Sequence, residues 1–242
     1  FQKGASADPM TKIPLILLPG LLCDDALWSH QTRYLSDIAD ITVADLTGRD
    51  SVSALAANVL AKTPPRFALA GLSMGGYVAL EIVRQAPERV TKLALIDTNA
   101  RSDTDEQRRK RRELMALAER GEFRDVTPRL LPVLVHRDRT DDAELTGEVI
   151  AMADRVGRDA FLRQQRLIMD RPDSRPMLPS ISCPTLVLCG RQDAISTLEM
   201  HAEMADAIPG ARLAVVEECG HLASLERPHA TTALMRDWLV YS

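Results

Sequence analysis

The sequence predicts an α/β fold: a mostly parallel sheet of about six strands, with helices on both faces and a helical insertion. Three observations carry this. Short, continuous apolar runs recur and end in turn residues, as strands buried on both faces do. Stretches of helical period lie between them, and strand–helix alternation implies parallel crossovers. Between residues 101 and 175 the strand-like runs stop and helical spacing takes over.

The elements follow in order. Ile13 to Leu18 is an apolar run closed by Pro19-Gly20, the first strand. An amphipathic segment with Trp28, Tyr34, Leu35 and Ile38 follows, then a second strand at Ile41-Thr42-Val43. Val52 to Ala61 has helical pattern and stops at Pro64-Pro65, where the ring removes a backbone donor. Phe67 to Ala70 is the third strand, Met74 to Gln85 a helix closed near Pro87, and Leu93 to Ile96 the fourth strand. In the insertion, Leu145, Val149, Met152 and Val156 recur at spacings that fall on one helix face, and Leu114, Leu117 and Ala118 suggest another. Val133 to Val135 fits helix or strand. Thr185 to Leu188 and Arg212 to Val216 are strands five and six, with helices expected at Leu198 to Ile208 and His229 to Leu239. Residues 1–9 read as tag or linker, with Met10 as a natural start. The expected organisation is a core from 10–100 and 176–242, with 101–175 inserted.

The totals limit what the chain does. Its 242 residues suffice for a sizeable core. A net charge of −4 gives no global field for nucleic acid or an anionic membrane, so neither is an expected partner. No apolar stretch approaches the roughly 20 residues that span a bilayer. Cys23, Cys183, Cys189 and Cys219 form no Cys-x-x-Cys pair, which argues against a zinc ribbon and for reduced thiols in a cytosolic protein.

The chemistry starts from "AGLSMGGY", residues 70–77. Gly71-Leu72-Ser73-Met74-Gly75 lies between a predicted strand and a predicted helix, and G-x-S-x-G in that setting forms a tight turn that exposes the serine hydroxyl. Residues two before and two after the serine crowd such a turn, hence glycine at 71 and 75. Serine needs a base, and the base needs an orienting carboxylate. Asp193 follows strand five in "CGRQD" and His221 follows strand six in "ECGH". Both therefore fall at the C-terminal edge of the sheet, where open parallel sheets bind ligands. Pro19-Gly20-Leu21-Leu22 leaves strand one at the same edge. The Leu21 and Met74 amides are candidate donors to a developing oxyanion.

With these residues in place, the sequence resembles the α/β-hydrolase superfamily. It is similar to small carboxylesterase-like members such as enol-lactonases and acyl-carrier methyl esterases. The resemblance rests on "GLSMGG", "CGRQD", "CGHLASLERP" and "LLPGLLCD", and on the chain order Ser73, Asp193, His221. It implies a serine hydrolase acting on a small-molecule ester or related acyl bond, with no metal and no organic cofactor, and a helical cap at 101–175. Two features depart from the family pattern. Pro19 stands where a histidine is usual, and the family's leading antiparallel strands are not expected, because the strand-like runs enter at Ile13.

Other readings compete at several positions. Asp97 follows strand four and rivals Asp193 as the acid; Asp193 is preferred, and Asp97 is expected to fix the entry to the insertion. The basic run Gln107 to Arg112 is expected to be a solvated helix face paired with nearby acids, with binding of an acidic acyl carrier as the minor reading. Trp28 is a candidate wall of the substrate pocket. Thioesterase, lactonase, C–C hydrolase or cofactor-free perhydrolase chemistry would use the same triad. A non-catalytic receptor on this fold is the rival of another class.

Overall fold

The structure is a computed structural model that describes residues 12–242. The expected tag at 1–9 and the start at Met10 lie outside the described residues. Six strands form one sheet: β1 (Ile13–Leu18), β2 (Ala39–Val43), β3 (Phe67–Leu72), β4 (Val90–Ile96), β5 (Thr185–Gly190) and β6 (Arg212–Val216). Their order is β2-β1-β3-β4-β5-β6, and every pairing is parallel. The "mostly parallel" expectation thus becomes all-parallel among the described residues.

Helices connect and cover the strands: α1 (Ser29–Leu35), α2 (Val52–Leu60), α3 (Met74–Gln85), α4 (Asp105–Glu119), α5 (Val126–Leu134), α6 (Ala143–Val156), α7 (Arg158–Met169), α8 (Leu198–Ala207), α9 (Ala223–Glu226) and α10 (Pro228–Tyr241). Helices α4 to α7 fall between β4 and β5. The ambiguous stretch at Val133 resolves as the end of α5, and Val135 is already extended.

Strand alternation assigns the two faces. Ile16, Leu18, Leu69, Leu95 and Val187 enter one apolar layer with residues of α2, α3 and α8. Leu15, Leu17, Ala70, Ile96 and Leu188 enter the other, with residues of α1 and α10. A side-chain period of two on a sheet covered twice needs apolar residues at both parities, which is why the strands read as unbroken apolar runs. Each fully buried leucine contributes about 1.5–3 kcal/mol.

Register then positions the loops. Leu18 pairs with Gly71, Leu72 with Ile96, Ile96 with Leu188 and Gly190 with Val216. The loops after β1, β3, β4, β5 and β6 therefore leave the sheet at one level. Strain gathers there as well. Leu22, Ser73, Asp97 and Glu218 are the non-glycine residues with left-handed φ among the described residues, and each lies in one of these loops. Such conformations cost on the order of 1–3 kcal/mol and cluster at functional sites.

Candidate active site

Ser73 caps the turn from β3 into α3 with φ 54° and ψ −116°. Its N–H donates to Ile96 O at 3.0 Å. The space around the turn explains its glycines. A Cβ on Gly71 would sit 2.3 Å from Gly75 O, and one on Gly75 2.1 Å from Leu18 O. Gly76 meets the Thr98 side chain in the same way. Gly75→Ala is therefore expected to destabilise the fold by about 3 kcal/mol or more, since the clash is with backbone. Gly147→Ala, in α6 with open space around it, is expected to stabilise by about 0.5–1 kcal/mol. Chemical denaturation of the two variants checks the contrast.

Three side chains meet at this edge. Ser73 Oγ lies 2.8 Å from His221 Nε2. His221 Nδ1 lies 2.8 Å from Asp193 Oδ2 and 2.9 Å from Oδ1. An ionised carboxylate only accepts, so Nδ1 carries the proton and Nε2 is free to accept from Ser73. Asp193 Oδ1 also accepts from the amides of Ile195 (2.8 Å) and Ser196 (2.9 Å). Burial works against the Asp193 charge, but His221 and these amides outweigh it and hold the carboxyl below its usual range. Burial likewise works against a charged His221, yet Asp193 prevails and raises it above the ordinary histidine value.

Asp97 does something else. It is fully buried, and its carboxylate accepts from Gly190 N–H (2.9 Å) and Ala223 N–H (2.8 Å). It joins the strand leading to Asp193 to the helix after His221, which corrects the expectation that it fixes the entry to the insertion. Burial, then the negative charge of Asp193, push it up to about 8.

The His221 loop is braced from the insertion. His221 N–H donates to Leu134 O at 2.9 Å. Buried Glu226 accepts from Gly220 (3.0 Å) and Leu222 (3.3 Å) through one oxygen and from His136 N–H (2.7 Å) through the other. The loop after β1 is tied down similarly. Leu22 N–H donates to Gln164 Oε1 at 3.1 Å, and Gln164 Nε2 reaches Leu46 O. Gln164 and Glu226 were not singled out in the sequence. Gln164 reaches Leu22 across 142 residues and Glu226 reaches His136 across 90, and no local pattern reports such contacts.

A cavity of about 770 Å³, its open mouth included, lies between the sheet edge and α4 to α7. Gly20, Leu21, Cys23, Ser73, Ile195 and His221 line its floor, and Leu114, Leu130, Leu134, Val149 and Ile168 its roof. Leu21 and Met74 amides donate to no protein acceptor among the described residues. Trp28 does not line this cavity, which corrects its expected role. It ends a single 3-10 turn (Asp25–Trp28), pinned by Asp24 accepting from Ala26 N–H, and is fully buried in the apolar layer that includes Leu15, Leu17 and Trp238. Burial pushes the Cys23 thiol up to about 12 and raises Cys219 further, so neither is an activated nucleophile.

Asp97, Asp193 and His201 have ligating atoms within 4.8 Å of one another, close enough to hold a cation. Their atoms are already engaged. Thr98 N–H donates to His201 Nε2 at 3.0 Å, which leaves the proton on Nδ1, 3.0 Å from Thr197 O. Burial keeps this imidazole neutral. With no free lone pair on His201 and Asp193 committed to His221, the group does not fit a metal.

A family model described as the alpha/beta hydrolase family matches residues 15–234. The pimeloyl-acyl-carrier-protein methyl ester esterase of Neisseria meningitidis serogroup B is 29% identical over 195 residues, 78% of this chain and 74% of that protein. Its namesake from Nitrosomonas europaea is 26% identical over 243 residues, covering 88% and 90%. A thermophilic esterase from Thermogutta terrifontis superposes with a TM-score of 0.85 at 31% identity, covering 95% of this chain and 90% of that one. An enol-lactonase from Burkholderia xenovorans LB400 superposes at 0.86 with 24% identity, covering 95% and 92%; that likeness is one of fold.

Proposed function

The chain belongs to the alpha/beta hydrolase family, and from that premise we propose that Ser73, His221 and Asp193 carry its serine hydrolase chemistry on carboxylic esters. The observation that carries the assignment is the continuous contact from Ser73 Oγ through His221 to Asp193, each link 2.8 Å. Ser73 Oγ attacks the acyl carbonyl as His221 Nε2 takes its proton. Asp193 holds the tautomer and stabilises the imidazolium. The Leu21 and Met74 amides receive the oxyanion, Met74 with the help of the α3 N-terminal dipole. His221 returns the proton to the leaving alcohol. Water then enters and attacks the acyl carbonyl as it gives a proton to His221, and His221 returns that proton to Ser73 Oγ as the acid leaves.

The helices from α4 to α7 serve as a cap that shields this chemistry from bulk water. The matched relatives are by name methyl ester esterases, and an oxygen ester is the substrate type we adopt. Among the described residues no helix is long and apolar enough to cross a membrane. The four cysteines are free thiols, which supports a reducing, cytosolic setting.

The test is a panel of activated oxygen esters, thioesters and lactones of graded chain length, ranked by kcat/KM. Oxygen esters should lead; a lead by thioesters or lactones would reassign the bond cleaved. The pH profile has a defined sign. Catalysis needs neutral His221, and its proton is held more tightly than usual. Activity should therefore be full at alkaline pH and fall as pH drops through a value above 6.5, the ordinary histidine value.

A further inference from the structure

The basic run on α4 is only partly a solvated face. Arg109 and Lys110 pair with Glu106 and Glu113 on its exposed side. Arg111 turns inward and lines the cavity that holds Ser73. Its Nε donates to Asp103 Oδ2 at 2.6 Å. Asp103, whose side chain is fully buried, also accepts from Arg171 Nη1 at 2.6 Å, and the Arg171 side chain is 4% exposed. Two guanidiniums thus share one carboxylate, and the cluster keeps one positive charge beside a mostly apolar cavity. Arg111 is the one permanently charged side chain among the described lining residues. Arg111 and Arg171 share the single counterion Asp103, and the Arg111 side chain is only 19% exposed; a partly buried surplus charge is costly, and an anionic ligand would offset it.

A second, independent observation lies next to it. Arg111 Nη1 donates to Gln165 Oε1 at 3.0 Å. This fixes the amide orientation, because the flipped amide would set donor against donor. Gln165 is fully buried and lines the same cavity, and its Nε2 has no acceptor. Of the five guanidinium N–H donors of Arg111, three are engaged, one of them in a long 3.5 Å contact to Asp103 Oδ1. The cavity wall therefore presents surplus positive charge and unmet N–H donors from two side chains, a set complementary to a carboxylate.

We propose that Arg111 and Gln165 form a carboxylate-recognition site in the cavity, so that the preferred substrates are half-esters of dicarboxylic acids. This rests on the ester hydrolase reading of Ser73. The ionised carboxyl would dock on Arg111 and Gln165, the methylene chain would lie along the apolar roof, and the ester would reach Ser73.

Two measurements separate this proposal from that reading. In the first, kcat/KM is compared for monomethyl succinate, glutarate and adipate and for neutral methyl esters of matched length. The wild type should favour at least one half-ester by tenfold or more. Arg111→Gln and Gln165→Glu should each lower that ratio at least tenfold, the second by placing a carboxylate against the ligand while still accepting from Arg111. A wild-type ratio at or below one, or a ratio that neither variant moves, would overturn the proposal. In the second, succinate, glutarate and adipate are titrated calorimetrically into Ser73→Ala protein, where turnover plays no part. At least one should bind, and the Arg111→Gln change should abolish the heat. Failure of all three to bind at millimolar concentration would overturn the site even if Ser73 proves to be the nucleophile. Binding without ester turnover in the wild type would retain the carboxylate site and sink the hydrolase reading instead.

Discussion

Ser73→Ala lowers kcat for an activated ester by roughly 10⁴ to 10⁶-fold, with the melting temperature within a few degrees of wild type. The magnitude follows from what the hydroxyl does. It is the atom that forms the acyl-enzyme bond, and its loss leaves only binding and oxyanion stabilisation, which sustain on the order of 10³-fold over water. Stability is spared because Oγ has His221 Nε2 as its side-chain partner, whereas the strained turn is held by backbone contacts and by Gly71 and Gly75. Alanine meets the same φ of 54° as serine. No nearby group takes over, since the Cys23 thiol that shares the cavity is pushed up to about 12 and stays protonated. Steady-state kinetics on the purified variant, with thermal melting alongside, check both halves.

Asp193→Asn lowers kcat by about 10⁴-fold, while Asp97→Asn costs far less. The cause is the imidazole tautomer. Ile195 and Ser196 amides hold the Asn Oδ1 where Asp193 Oδ1 now sits. The amide nitrogen then faces His221 Nδ1 as a donor, forces that nitrogen to accept, and moves the imidazole proton to Nε2. A protonated Nε2 cannot receive the Ser73 proton. At Asp97 the substituted amide opposes either Gly190 N–H or Ala223 N–H and loses one backbone hydrogen bond. That costs roughly 1–3 kcal/mol of stability without touching the imidazole. The pH profiles separate the two further: the Asp97 variant keeps its acid limb near the wild-type position, and in the Asp193 variant the limb moves to lower pH, because His221 loses the carboxylate that raises it. Equal losses in the two variants would move the orienting acid towards β4.

The sheet and its helices were legible because burial on both faces leaves an unmistakable trace. Residues such as Leu15 and Ile16 are adjacent, apolar and on opposite faces, and no solvent-facing strand of this sheet's interior tolerates that. The triad positions were legible because each follows the end of a strand, and parallel strands end at one edge. What stayed hidden depends on direction within a turn. Asp97 and Asp193 both follow strands, but only in the folded chain does Asp97, at φ 45°, reach Gly190 and Ala223 while Asp193 reaches His221. Trp28 is close in sequence to the loop after β1, yet at the end of a 3-10 turn it is buried in the apolar layer with Leu15, Leu17 and Trp238. The basic run satisfies the spacing of a solvated helix at Arg109 and Lys110, which masks the inward turn of Arg111. Gln164 holds the Leu22 amide and Glu226 the His136 amide from far along the chain, and a glutamine or glutamate in a helix carries no mark of that.

The most direct test is covalent: incubate the wild-type protein with a fluorophosphonate, digest it, and locate the adduct by mass spectrometry. The account predicts a phosphonyl group on Ser73, with fluoride lost, no labelling of Ser73→Ala, and much slower labelling of Asp193→Asn. An unlabelled wild type, an adduct on another residue, or equal labelling of Ser73→Ala would contradict it.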